Sequence, residues 1–187
     1  MLRIRSAVES DVASLLAIYA PLVRDTTITF ETQVPEHEAF AARVLEYSRR
    51  FPWLVGEDEQ GVSGYVYASP HRSRAAYRWS VGSSVFVSPR AQRTGVARRM
   101  MGVLLDALRR QGACRVYAGV TLPNDPSVAL HRSLGFRSVG RYENVGFKHG
   151  GWHDVGWWQF DLAGTDEEPR PLGAPEDAVA SALSDAE

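Results

Sequence analysis

The stretch Gln92-Arg93-Thr94-Gly95-Val96-Ala97, followed by Arg98 and Arg99, sets one glycine and small side chains among three guanidinium groups. It follows the apolar run Ser84-Val85-Phe86-Val87 and Ser88-Pro89 and precedes apolar residues at helical spacing, so it stands where a strand feeds a helix. A helix start offers unpaired N–H groups and the positive end of the helix dipole, and Gly95 would let backbone approach a ligand closely. With the arginines around it, such a turn suits a diphosphate or a similar polyanion. No Gly-Lys-Ser/Thr follows, and the three glycines of a dinucleotide fingerprint are missing, so neither familiar phosphate loop is present. By themselves these residues serve at least as well for a solvated basic turn.

The elements that would position this turn follow from periodicity. Leu2–Arg5 alternates as a strand, and Val12, Leu15, Leu16, Tyr19, Leu22 and Val23 recur as one face of a helix, with Ser10 or Asp11 as its cap. "DTTITFETQVP" reads as a loop or short strand; Pro35 is expected in the first turn of a second helix carrying Phe40, Val44, Tyr47 and Phe51. "WLVGE" and "VSGYVYAS" form a hairpin, "YRWSVGSSVFVS" a third strand, and Val96 to Leu108 a helix ending at Gln111-Gly112. "CRVYAGVT" is a buried strand, "NDPSVALHRSLGF" a short helix stopped by Gly135, and Ser138–Leu162 two strands joined by "GFKHGGWHD". Antiparallel hairpins with one strand-helix-strand crossover at residues 83–121 imply an α/β fold of the α+β type. Its mixed, mostly antiparallel central sheet is flanked by helices.

The chain of 187 residues, 44% of them hydrophobic, is sized for one domain, taken here as 1–162. In the tail, 163–187, Asp166, Glu167, Glu168, Glu176, Asp177, Asp185 and Glu187 face only Arg170, while the body is net positive. Rich in Ala, Pro and acids, the tail is expected to be a flexible appendix. The lone Cys114 excludes an internal disulfide and fits a reducing, cytoplasmic setting. No segment reads as a membrane span or a cleaved leader, so no membrane partner is expected. Nucleic acid is not expected either, because the basic residues cluster at the turn without a helix-in-groove or aromatic platform motif.

Gln92-x-x-Gly95-x-Ala97 after "SSVFVSP", with Asn124 and Ala129 ahead of "LHRSLGF", resembles the Gcn5-related N-acetyltransferase (GNAT) superfamily. "RFPWLVGE", "TLPNDPSVALHRSLGF" and "GFKHGGWHDVGWWQFDL" are further similar to the phosphinothricin N-acetyltransferase family, in order from about Ile4 to Leu162. The resemblance implies the GNAT acyl-CoA N-acyltransferase fold, acetyl-CoA as co-substrate without a metal, and a small amino-acid-like primary amine as acceptor. It places the pyrophosphate on the backbone from Gln92, Arg93, Thr94, Gly95, Val96 and Ala97 to Arg98. The pantetheine runs along Val85, Phe86, Val87 and Ser88, with Asn124, Ser127 and His131 beside it. A backbone N–H near Val85–Val87 would polarise the thioester carbonyl. A homodimer is expected on the same ground.

His131 stands where superfamily members often carry a tyrosine that protonates the departing thiolate, and is the first candidate for that task. The relatives show a glutamate as base where this chain has Gly82. Glu31 or Glu143 could replace it, water could relay the proton, or the acceptor could have a lower pKa. Arg72, Arg74 and Arg78, with Ala75, Ala76, Ser83, Ser84 and Phe30, are candidates for the acceptor pocket. A guanidinium suits a carboxylate or phosphinate, and Arg78 stands where close relatives show an acid. Thr27 is a further candidate wall. His149-x3-His153-Asp154 supplies too few ligands for a metal. Two other functions are compatible with the residues: a degenerate acetyltransferase that senses acyl-CoA or an amino acid, and a protein or peptide N-acetyltransferase.

Overall fold

The alternation at the N-terminus becomes β1 (Arg3–Ser6), which pairs antiparallel with β2 (Trp53–Asp58) from Arg3↔Glu57 to Ser6↔Leu54. The computed structural model describes residues 1–166 and 168–185; Glu167, Ala186 and Glu187 of the acidic tail lie outside the described residues. Between the two strands, Val12, Leu15, Tyr19 and Val23 form the buried stripe of α1 (Val12–Asp25), and Phe40 and Val44 that of α2 (His37–Ser48). Glu36 is the α2 N-cap, so Pro35 precedes the helix instead of sitting in its first turn. Residues 26–36 form a loop with no strand.

The hairpin β2–β3 (Gly61–Pro70) continues antiparallel into β4 (Ser80–Val87), and α3 (Val96–Gln111) then crosses over to β5 (Arg115–Leu122). Next come α4 (Asp125–Ser133), β6 (Arg137–Lys148) and β7 (Gly151–Asp161). One seven-stranded sheet results, ordered β1-β2-β3-β4-β5-β7-β6, in which β4 and β5 pair parallel. The mixed, mostly antiparallel sheet expected from the periodicity is the one observed. Alternation sends Trp53 and Val55 to the face covered by α1 and α2, and Leu54 to the face packed on α3. Gly112, at φ +101°, ends α3 in the left-handed region, and its N–H donates to Arg109 O at 3.1 Å.

Two expectations are corrected. The tail is not a flexible appendix throughout: α5 (Pro175–Ser184) buries Ala178, Val179 and Ala182 and joins the core cluster that α3 builds. Gly173 N–H donates to Gln111 O at 2.7 Å, and Trp79 Nε1 donates to Arg170 O at 2.7 Å. Composition counted alanine as a weak apolar residue, whereas at helical spacing its small side chain lets two helices sit close. The "GFKHGGWHD" connection, for its part, is mostly strand. Lys148 pairs with Gly151, and only His149 (φ +50°) and Gly150 (φ +77°) make the turn, the positive-φ pair a two-residue hairpin requires.

Candidate active site

The parallel pair β4–β5 is short. It holds at Ser80↔Arg115, Val81↔Val116 and Gly82↔Tyr117, and past that point the two strands part. A cavity of about 200 Å³ opens between Ser83–Phe86 and Ala118–Thr121, bordered by Tyr19, Ile28, Thr29, Tyr67, Asn124, Ser127 and His131. Ser88 N–H donates to Ser63 O (2.9 Å) and Ser80 O accepts from His71 N–H (3.3 Å), so even-numbered residues of β4 turn their backbone groups toward β3. Alternation turns those of Val85 and Val87 toward the split, where β5 no longer pairs with them. That edge can add an extended ligand as if it were a strand.

At the mouth of the split, α3 begins at Gly95, whose φ of +85° is left-handed and whose missing Cβ would meet nothing within 4 Å. Arg93 is also left-handed (φ +61°), and Thr94 Oγ1 donates to Ala91 O at 2.7 Å to close the turn. The exposed stretch Gln92–Gly95 thus leads into the unpaired N–H groups of Val96, Ala97 and Arg98, the arrangement a diphosphate needs. A second recess of about 260 Å³, lined by Met1, Leu2, Asp58, Arg90, Ala91, Thr94, Val96 and Arg99, lies beside the same helix start.

Asn124 caps α4, its Oδ1 accepting from Ser127 N–H at 3.2 Å, which leaves its amide N–H groups for a ligand in the cavity. His131 is buried in α4, its ring edge against Phe136 and its Nδ1 2.8 Å from the Ser127 carbonyl oxygen. A carbonyl can only accept, so Nδ1 carries the proton. Desolvation by burial lowers the histidine below its usual range. The neutral ring is left with a lone pair on Nε2, and His131 is one of the residues that line the cavity.

Of the residues expected to form an acceptor pocket, Arg72, Arg74, Ala75, Ala76 and Arg78 lie on the exposed segment around a short 3₁₀ turn (Ala75–Tyr77), outside the cavity lining. The Arg78 guanidinium stacks 4.1 Å from the centroid of Trp79. Glu31 also stands outside the cavity, paired with Arg43 of α2 at 2.8 Å, and Phe30 packs onto the β6 backbone at Gly146. Glu143 is exposed on β6. Of the acceptor-pocket candidates, Ser83 and Ser84 line the cavity.

Sequence reasoning missed Tyr19, Ile28, Thr29, Tyr67 and Thr121, which complete the walls. Tyr19 donates to or accepts from Thr29 Oγ1 at 2.7 Å, and burial pushes its phenol up to about 12. Lys148 Nζ donates to Thr29 O at 2.7 Å, pinning the same loop to the end of β6. The alternation placing Tyr67 on the α1/α2 face was available in "GYVYAS"; nothing in the sequence alone brings Thr29 there.

A sheet that splits beside a glycine-led helix start defines a class of acyl-CoA-dependent transferases. The match to the model of the acetyltransferase (GNAT) domain over residues 4–157 shows that this chain belongs to that family. A phosphinothricin N-acetyltransferase of Streptomyces viridochromogenes is 40% identical over 90% of this chain and 92% of its own. An L-methionine sulfoximine/L-methionine sulfone acetyltransferase of Salmonella typhimurium is 33% identical over 90% and 97%. The crystal structure of a GNAT superfamily phosphinothricin acetyltransferase from Sinorhizobium meliloti in complex with AcCoA aligns with a TM-score of 0.87, at 34% identity, over 90% of this chain and 93% of that one.

Proposed function

We propose that this chain is an acetyl-CoA-dependent N-acetyltransferase acting by direct transfer on the primary amine of a small amino acid or analogue, of the phosphinothricin, methionine sulfoximine or methionine sulfone type. The observation that carries the reading is the parting of β4 from β5 after Gly82↔Tyr117, with the turn led by Gly95 at its mouth. Acetyl-CoA supplies an activated acyl group on a leaving thiolate. The N–H groups of Arg93–Arg98 hold its pyrophosphate, and Val85 and Val87 pair with its pantetheine amides, helped by the Asn124 amide. The Val85 N–H points at the thioester oxygen, where negative charge develops as the amine attacks; a donor fixed there lowers the barrier by about 3 kcal/mol. The cavity walls of Tyr19, Tyr67 and Thr29 limit the acceptor to a small molecule.

The same reading includes a homodimer and a cytoplasmic setting. Support for self-association comes from the terminal hairpin, where Tyr142, Val145, Phe147 and Trp152 leave large apolar side chains exposed. Among the described residues no helix is long and apolar enough to cross a membrane. Thiol release from acetyl-CoA, screened with phosphinothricin, methionine sulfoximine, methionine sulfone and polyamines, tests the reading. Release matched by N-acetyl product with an amino-acid analogue is expected; thermal stabilisation by acetyl-CoA without release from any amine would contradict it.

A further inference from the structure

The transfer proposed above, on which this inference rests, leaves one proton to be placed, because an amino-acid amine is an ammonium ion at neutral pH and must lose a proton to attack. On the α1/α2 face of the sheet, the carboxylate and the phenol nearest the cavity are not free to take it. Glu31 is held by Arg43 at 2.8 Å, and the phenol of Tyr19 is kept protonated by burial. His131 sits deep in α4, on the cofactor side of the cavity.

Where β4 and β5 part, the α1/α2 face of the sheet has no side chain on β4, because the residue is Gly82. A Cβ there would stand 3.2 Å from Ser69 Oγ of β3, and Tyr117 of β5 is the register partner on the other side. His71 borders this bare patch. Its backbone N–H bonds Ser80 O at 3.3 Å, which fixes it beside β4, yet its ring stacks on Tyr117 at 4.2 Å and 22°, on the strand beyond. The imidazole thus reaches across the width of β4 next to Gly82. Trp157 meets the His71 ring edge-on at 5.8 Å, and the same indole would lie 3.2 Å from a Cβ at Gly119, a residue of the cavity wall. The Trp157 indole therefore lies against both Gly119 and the histidine, and neither of the two rings is itself part of the cavity lining.

We propose that His71 is the proton acceptor of the transfer, its imidazole taking one proton from the acceptor's ammonium group over the bare sheet face at Gly82. The freed nitrogen forms a bond to the acetyl carbon and the C–S bond breaks. The second proton lost by nitrogen goes to the departing sulfur, and the imidazolium passes its proton to solvent. The products are one amide, one thiol and one released proton. Partial burial and the positive charge of Arg72 both hold the His71 pKa below the ordinary histidine value, so the ring is neutral and able to accept. The groups that face it are Tyr117 from β5, Tyr77 from the 3₁₀ turn and the uncharged Trp157 from β7; no carboxylate is among these contacts in the described residues.

The test is steady-state thiol release by the full chain, comparing wild type, His71→Gln, and His71→Gln combined with Gly82→Glu. In His71→Gln, kcat falls about 100-fold, while the KM for acetyl-CoA and the melting temperature hold. The acidic limb of kcat/KM, which in the wild type lies below the usual histidine range, gives way to a rise that follows the amine's own ionisation. Gly82→Glu, which sets a carboxylate on the same face, recovers about tenfold of the loss. An active wild type whose His71→Gln form keeps its rate and its acidic limb overturns the assignment of His71 alone. A wild type that binds acetyl-CoA but releases thiol with no amine overturns the transferase reading and this assignment with it.

Discussion

The two ends of the cleft are built differently. The cofactor end is backbone: a strand edge left unpaired at Val85 and Val87, and a helix start opened by Gly95, joined by a few residues of continuous chain. The acceptor end is side chains brought from far apart, Tyr19 from α1, Thr29 from a loop, Tyr67 from β3 and Thr121 from β5. Backbone groups present the same donors and acceptors whatever side chains the strand and the helix start carry, so that end should tolerate substitution. The other end depends on which side chains are present, as at Gly82, where the sheet face beside His71 carries none.

Breaking the cofactor end should give the largest effect. Gly95→Val places a β-branched side chain at φ +85° and crowds the diphosphate. Strain of about 1–3 kcal/mol there should raise the dissociation constant of acetyl-CoA roughly 10- to 100-fold by calorimetry, with the acceptor KM unaltered. Removing residues 165–187 tests what braces that end. The α3 face loses the cover given by Ala178, Val179 and Ala182, and a cost of about 2–4 kcal/mol should lower the melting temperature by roughly 5–15 °C in scanning calorimetry.

The legibility of the sequence follows the same division. The strand, turn and helix from Ser80 to Gln111 could be read directly, because alternation, Pro89 and Gly95 are local signals whose consequences are local. Arg72, Arg74 and Arg78 have the chemistry for an anionic acceptor, while their exposure around the 3₁₀ turn at Ala75–Tyr77 is set by the fold and is not legible in the sequence. His71 is silent in sequence for the converse reason: its role depends on Tyr117 and Trp157, which lie 46 and 86 positions further along the chain. The packing of the tail is hidden in the sequence because its stripe is built largely of alanine, which hydrophobicity alone undervalues and close helix packing favours.

A smaller effect should appear in the pH dependence of stability. His131 is buried neutral with its pKa held below the usual 6.5, so on acidification the unfolded chain takes up a proton before the folded one does. Stability is therefore complete above that value and is lost as the pH falls below it toward the folded pKa, with half-buried His71 adding in the same direction. Melting temperatures measured from about pH 7 to 5 should fall, and His131→Gln should flatten the slope. The smallest effect sharpens the comparison by its absence. Arg78→Ala removes a guanidinium stacked on Trp79 outside the cavity, and the acceptor KM should stay within about twofold of wild type.

The central claim, that the unpaired edge of β4 and the start of α3 receive acetyl-CoA, is tested most directly by amide hydrogen exchange with and without acetyl-CoA. Exchange should slow at Val85, Val87 and the N–H groups from Arg93 to Arg98, and hold steady across β1 and β2. Protection confined to the neighbouring recess at Met1, Asp58 and Arg90, with the Val85 and Val87 amides unchanged, would contradict it.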